Sequence, residues 1–264
     1  MKYSQKDHSF VICAYRESPY LEACIRSLTA QTVKSHILLS TSTPNPFIAD
    51  LAEKYGIPVH INPEQTGIAG DWNFALSCAQ TPLVTLAHQD DVYESDYTQE
   101  MLRCLNKSRE PILFSGNYAE LRGGEKVTSS RLLRIKRLMM LPIRLFPSGI
   151  AARRLTLAFG CPILCPSVTY VRDIVLKYPF LKGMYASLDW EEWERISKEK
   201  GSFVYSGKIL VCHRIHEDSE TSRVLRLHLR YDEDYRMFRK FWPEPIARIL
   251  VKAYSSSEKS NELK

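Results

Sequence analysis

Within its first hundred residues the chain alternates short apolar runs with stretches of helical periodicity, and this alternation restricts the fold more than any other feature. Residues 9–14 (SFVICA) are a nearly unbroken apolar run of strand length. Residues 19–30 then place Leu21, Cys24, Ile25 and Leu28 on one helical stripe, with Ser18 positioned to cap it. The pattern recurs as strand 37–39 with helix 47–55, then strand 59–61, helix 72–79 and strand 83–87, with Gly56 and Pro58 punctuating one transition. Such strand-helix-strand units build a parallel sheet covered by helices. A chain of 264 residues, 44% of them hydrophobic, can bury a sizeable core, and disordered, collagen-like and disulfide-scaffold classes are excluded.

The later chain predicts a strand pair, 112–120 and 126–128, turning at Gly123-Gly124, then a strand 167–171, a helix 188–198 and a strand 203–211. The expected organisation is one domain over 1–222, with a change of character at about 110. C-terminal helices over 223–254 and a loose tail, 255–264, follow. No apolar run reaches the roughly 18 residues of a bilayer-spanning helix, and the opening MKYSQKDHSF lacks the basic-then-apolar order of a secretion signal. The expectation is a cytoplasmic protein whose seven cysteines, with no CxxC pair, stay reduced.

The formal charge of +6 sits in one place: residues 131–154 carry seven Arg or Lys and no acid, which leaves 29 basic against 30 acidic residues elsewhere. Basic residues interleaved with Leu, Ile and Met at helical spacing suit the surface of an anionic membrane. They suit equally a helix that covers the protein's own core and leaves its charges in water. Nucleic acid is not expected as a partner, because the charge is confined to one patch and no recognition motif accompanies it.

Three groups could carry chemistry. Asp90 and Asp91 follow the strand 83–87 directly, where open parallel sheets form their ligand crevice. A hard ion such as Mg2+ binds through one or two carboxylates together with substrate phosphates, although the pair could equally cap the helix predicted at 97–105. Asp189 opens the helix 188–198, placed to accept a proton or, more plainly, to favour the helix dipole. Arg214 and His216 share one side of an extended stretch, able to meet phosphate oxygens or a metal. Gly67 and Gly70 match neither the dinucleotide pattern nor a P-loop.

Taken in order, these pieces resemble family 2 glycosyltransferases of the GT-A fold, of the type that builds bacterial polysaccharides. The resemblance covers residues 10–222: VICAYRE at 11–17 and the following helix, 67–76 with Asn73, AHQDDVY at 87–93, GCPILCPSVTY at 160–170, Asp189 ahead of its Trp-containing helix, and the closing basic segment 213–221. It implies a Rossmann-like, mostly parallel α/β sheet flanked by helices, with a C-terminal helical extension. It implies an inverting enzyme that moves a sugar from a nucleotide-diphosphate donor to a glycan or lipid-linked glycan at the cell envelope, with Mg2+ or Mn2+ as cofactor. Asp189 would be the base. Ala14, Tyr15, Glu17, Ser40, Asn73, Gln89, Asp90 and Arg214 would hold the donor. Asp90, Asp91 and His216 would hold the metal, and Pro166, Ser167 and Trp190 would wall the acceptor.

Five positions depart from the family pattern: Ser40 and Thr41 replace acids after the second strand, Trp72 replaces an Arg, His88 replaces an acid, and Leu188 replaces a Glu. These departures keep two other readings open, a catalytically silent glycan- or lipid-binding relative and a sugar nucleotidyltransferase.

Overall fold

The computed structural model describes residues 2–216 and 230–259. The predicted alternation is present as β1 (His8–Ala14), α1 (Leu21–Thr29), β2 (His36–Thr41), α2 (Pro46–Tyr55), β3 (Val59–Ile61), α3 (Gly67–Cys78) and β4 (Leu83–His88). Each of these strands is parallel to its neighbour. β1 lies between β2 and β4 and is buried along nearly its whole length, as a strand with helices on both faces must be. Alternation along β1 sends Val11 into one core and Phe10 and Ile12 into another on the opposite face. Leu21, Cys24, Ile25 and Leu28 of α1 are all buried in the second core. Ser18 does not cap α1; its hydroxyl accepts the N–H of Tyr20 at 3.3 Å, one residue ahead of the helix.

The chain continues through β5 (Val92–Tyr93), α4 (Tyr97–Leu105), β6 (Pro111–Arg122), β7 (Glu125–Val127), α5 (Arg131–Met139), α6 (Leu141–Leu145), α7 (Ile150–Leu157), β8 (Val168–Val171) and α8 (Arg172–Val175). It ends with α9 (Leu188–Ile196), β9 (Ser202–Ile215), α10 (Arg230–Arg239) and α11 (Glu244–Lys259). The sheet runs β3-β2-β1-β4-β8-β6-β9-β5, with β7 paired to β6. β8 is antiparallel to both β4 and β6, so the sheet is parallel in its first half and mixed in its second.

β9 runs four residues past the predicted end, because Cys212 to Ile215 pair with β6 from Ala119 to Arg122. This extension carries polar residues of the closing basic segment up to the strand ends; its residues 217–221 lie outside the described residues. The C-terminal extension is not a separate body: Met237, Phe238, Ala247 and Val251 share a core with Trp190 and Trp193 of α9. Ser255 to Lys259 continue α11, so the first half of the expected loose tail is helical, and 260–264 lie outside the described residues.

Candidate active site

The turn after β4 feeds β5, which pairs antiparallel with β9 through Val92↔Cys212 and Tyr93↔Val211. That pairing sets His213, Arg214 and His216 against the Asp90-Asp91 turn. Asp91, fully buried, accepts from His213 Nδ1 at 3.0 Å and from the Arg214 backbone N–H at 2.9 Å. Asp90 accepts from His216 Nε2 at 2.9 Å through its carboxylate, and from Arg214 Nε at 2.9 Å through its backbone oxygen. The Arg214 guanidinium lies 4.4 Å from the centre of the Tyr20 ring, and His216 packs on the same ring. Neither acid caps α4, whose N-cap residue is Asp96.

The ligand atoms of His88, Asp90 and Asp91 lie within 4.8 Å of one another. His88 Nε2 and Asp91 Oδ2 are both buried without a hydrogen-bond partner among the described residues. Leaving two polar atoms unpaired in one spot is costly, and a cation would satisfy both. Burial holds His88 below its usual pKa and so in its neutral, metal-ligating form. Burial alone would raise Asp90, but the His216 hydrogen bond and the nearby imidazoles outweigh it and lower its pKa. For His213 burial works toward the neutral form, yet the Asp91 carboxylate prevails and raises its pKa.

Two histidines differ in how they join this cluster. His216 joins the site by hydrogen bonding to Asp90 and is not among the clustered ligand atoms. His88, read as the loss of an acid, supplies one of them, held by Trp72 stacked at 5.0 Å.

Of the residues expected to hold the donor, Ala14, Tyr15, Ser40 and Gln89 lie at the ends of β1, β2 and β4. Ala14 ends β1 and pairs with Thr41. The Gln89 amide clasps the Tyr15 backbone, accepting its N–H at 2.9 Å and donating to its carbonyl at 3.1 Å. Tyr15 and Glu17 are exposed, and Ser40 is buried between Cys13 and His60. Asn73 does not reach outward: its amide donates to the Phe180 carbonyl at 2.9 Å and accepts the Phe180 N–H at 2.8 Å, so both ends serve the fold. A carboxylate missed in the sequence stands nearby. Asp71 of α3 accepts from Ser42 just beyond β2 and from Asn62 just beyond β3, both at 2.9 Å. It puts an acid beside the strand where Ser40 and Thr41 had left none.

Asp189 sits half-buried in the first turn of α9 and accepts the Trp190 N–H at 2.7 Å. Burial pushes its carboxyl up to about 6, with Arg230 and Lys136 pulling in the opposite direction. The Lys136 charge helps to lower the Asp189 pKa and works against protonation of His213. Lys136 extends from α5 beside the Tyr118 ring, 5.6 Å from its centre. Helical spacing can place it on the inner face, but only the packing selects that face.

The expected acceptor wall is corrected. Pro166 is buried, its carbonyl accepting from Tyr93 OH at 2.6 Å. Ser167 is fully buried and donates to the Leu164 carbonyl at 2.7 Å. Trp190 is 1% exposed, donates to the Leu157 carbonyl at 3.0 Å and packs edge-on against Phe238. One residue along a helix turns a side chain by about 100°, so a half-exposed Asp189 is compatible with a Trp190 directed into the core. Residues 165–167 turn directly into the inner strand β8.

Comparison with known proteins agrees with this architecture. The sequence model of glycosyl transferase family 2 matches residues 9–177, while no curated protein matches the chain. Among solved structures, S. aureus TarS 1-349 in complex with UDP-GlcNAc is similar at TM-score 0.64 and 12% identity, over 89% of this chain and 71% of that one. Against the larger TarS structure the chain spans 42% of its length. The mannosyltransferase PcManGT from Pyrobaculum calidifontis, in complex with GDP-Man and Mn2+, is similar at TM-score 0.65 and 12% identity, over 100% and 77%. Glucosyl-3-phosphoglycerate synthase from Mycobacterium tuberculosis, with Mn2+, UDP and phosphoglyceric acid, gives TM-score 0.56 and 16% identity, over 85% and 78%. At these identities the structures speak for the shared fold, whereas the family model covers well over half of the chain. With its curled, mostly parallel sheet and strand-end acids, the chain belongs to glycosyl transferase family 2 and has the GT-A fold.

Proposed function

We propose that the protein is an inverting glycosyltransferase, moving a sugar from a nucleotide-diphosphate donor to a hydroxyl of a glycan or lipid-linked glycan in envelope or capsular polysaccharide synthesis. The observation that carries the reading is the His88-Asp90-Asp91 cluster at the end of β4, with two buried polar atoms left unpaired among the described residues, in a chain that belongs to glycosyl transferase family 2. Similar proteins bound to UDP-GlcNAc and to GDP-Man support a nucleotide sugar as the donor.

In this mechanism Asp189 takes the proton of the acceptor hydroxyl as its oxygen bonds to the anomeric carbon from the face opposite the diphosphate. The bond from that carbon to the diphosphate oxygen breaks, and the electron pair leaves with the nucleoside diphosphate. His88, Asp90 and Asp91 would hold Mg2+ or Mn2+, which when bound supplies positive charge against the departing diphosphate. Arg214, fixed by Asp90 and the Tyr20 ring, adds charge on the same side. Tyr15, Glu17 and Gln89, which follow β1 and β4, and Asp71 of α3 beside the end of β2 would hold the nucleoside.

A panel of nucleotide sugars incubated with Mn2+ and acceptor extracts tests the reading. Release of nucleoside diphosphate from one donor is expected. Pyrophosphate release would favour the nucleotidyltransferase, and no release from any donor would favour the silent relative.

The basic segment adds an anionic membrane surface as a proposed partner, in a form changed by the structure. Arg153 is buried, Arg154 pairs with Glu194, and Arg137 donates to Asn117 and to the Tyr118 and Thr128 carbonyls. The outward face of α5 carries Arg131, Arg134, Ile135 and Leu138, and α6 is followed by Phe146. Leu138, Leu145 and Phe146 are 65–66% exposed. Apolar side chains flanked by arginine suit shallow insertion into a cytoplasmic leaflet. No helix among the described residues is long and apolar enough to cross a membrane. Replacing Leu138, Leu145 and Phe146 together by Ser is expected to lower co-sedimentation with phosphatidylglycerol vesicles at least tenfold. Unchanged co-sedimentation would mean that the segment is simply solvated.

A further inference from the structure

α9 begins without a side-chain cap from its N-cap residue, Ser187. The Ser187 hydroxyl instead donates to Asp234 Oδ1 of α10 at 2.7 Å. The three backbone N–H groups ahead of the helix all point at one carboxylate, that of Glu233. Tyr185 N–H reaches Oε1 at 2.8 Å, while Ala186 and Ser187 N–H reach Oε2 at 2.7 and 3.0 Å. Glu233 is 6% exposed and Asp234 fully buried, so water competes little for these bonds. Charge-assisted bonds of this kind are about twice as strong as neutral ones. Asp234 is fixed in turn by Arg230 at 3.2 Å, and the Arg230 charge also acts on Asp189.

The segment before α9 is thus held at two points by other elements. Asn73 of α3 grips the Phe180 backbone and Glu233 grips 185–187, with Gly183 at φ +89° between the two grips. Asp189 follows two residues after the second grip, in the first helical turn.

We propose that Glu233, supported by Asp234, is the positioning residue for Asp189, so that the C-terminal extension is a working part of the transfer site. This rests on the reading of Asp189 as base. Glu233 lies beyond the segment matched by the family model, which ends at residue 177. It would act by fixing where the Asp189 carboxylate stands relative to the acceptor hydroxyl, and misplacement by about 1 Å can cost on the order of 100-fold in rate.

The test compares Glu233→Gln, Ser187→Ala and Asp189→Asn with wild type, using the donor selected by nucleoside diphosphate release. An amide at 233 can no longer accept three N–H groups without turning its own NH2 toward one of them. Glu233→Gln is expected to lose about 10- to 100-fold in kcat, with the donor KM and Mn2+ affinity within twofold of wild type, and Ser187→Ala a smaller part of the same loss. In wild-type protein the amides of Tyr185, Ala186 and Ser187 should be protected from hydrogen exchange, a readout that needs no variant. Wild-type kcat in Glu233→Gln beside an inactive Asp189→Asn would overturn this proposal alone, as would unprotected amides at 185–187. Full turnover by Asp189→Asn would overturn the base reading and this proposal with it.

Discussion

Asp189→Asn is expected to lower kcat by about 10²- to 10⁴-fold, the usual worth of a positioned general base, without weakening the fold. The two outcomes share one cause. Burial raises the Asp189 carboxyl to about 6, so the folded protein holds that proton more tightly than the unfolded chain does. The sign of the stability effect follows. As pH rises from about 4 through 6, ionising Asp189 costs the folded state an amount that grows to at most about 3 kcal/mol and then stays constant. Asn carries no such cost. The variant should therefore melt at or above the wild-type temperature at pH 7 to 8, and the gap should close toward pH 4. In the wild-type enzyme the acid limb of kcat/KM should fall near pH 6, because only the ionised carboxylate accepts a proton. A variant that loses activity while gaining stability separates a functional acid from a structural one; a destabilised, still active variant would show that Asp189 serves only the helix.

Removing the divalent ion is expected to have an effect of similar size. Chelation by EDTA should abolish turnover, and Mn2+ or Mg2+ should restore it. Asp91 is the informative residue, because its two oxygens have different surroundings. Oδ1 holds His213 and the Arg214 N–H, whereas Oδ2 is buried without a partner among the described residues. Asp91→Asn keeps an oxygen for the first task and loses the charge needed for the second. It should fold, bind Mn2+ at least tenfold more weakly by calorimetry, and lose about 10²-fold or more in kcat. Asp91→Ala strands both donors and should also cost on the order of 3 kcal/mol in stability. Unchanged Mn2+ affinity in Asp91→Asn would remove the cluster from consideration as a metal site.

The first four strands were legible because each is a short apolar run between helices whose stripes follow the same rules in any context. The start of α3 was not. Periodicity starts the helix only at 72, yet Gly67 uses φ +79° to enter it, and Gly70 gives room to Thr66, whose hydroxyl would lie 1.7 Å from an added Cβ. The polar end of β9 was equally hidden, since its strand character comes from pairing with β6, a distant partner.

At the site, the acids after β4 could be located because their place follows from the sheet topology. The direction of a side chain could not. Trp190 and Pro166 point into the core, and Lys136 and Arg137 point inward from a segment whose charge pattern suits either face. Glu233 left no local signal at all, as it acts on backbone groups 46–48 residues away.

The most direct test of the account is the anomeric configuration of the first product, read from the proton NMR coupling of the transferred sugar before it can equilibrate. Attack by an acceptor oxygen that Asp189 deprotonates, opposite a diphosphate held at the Asp90 side, predicts a configuration opposite to that of the donor. Retention of the donor's configuration would contradict single displacement and the roles assigned to both acids.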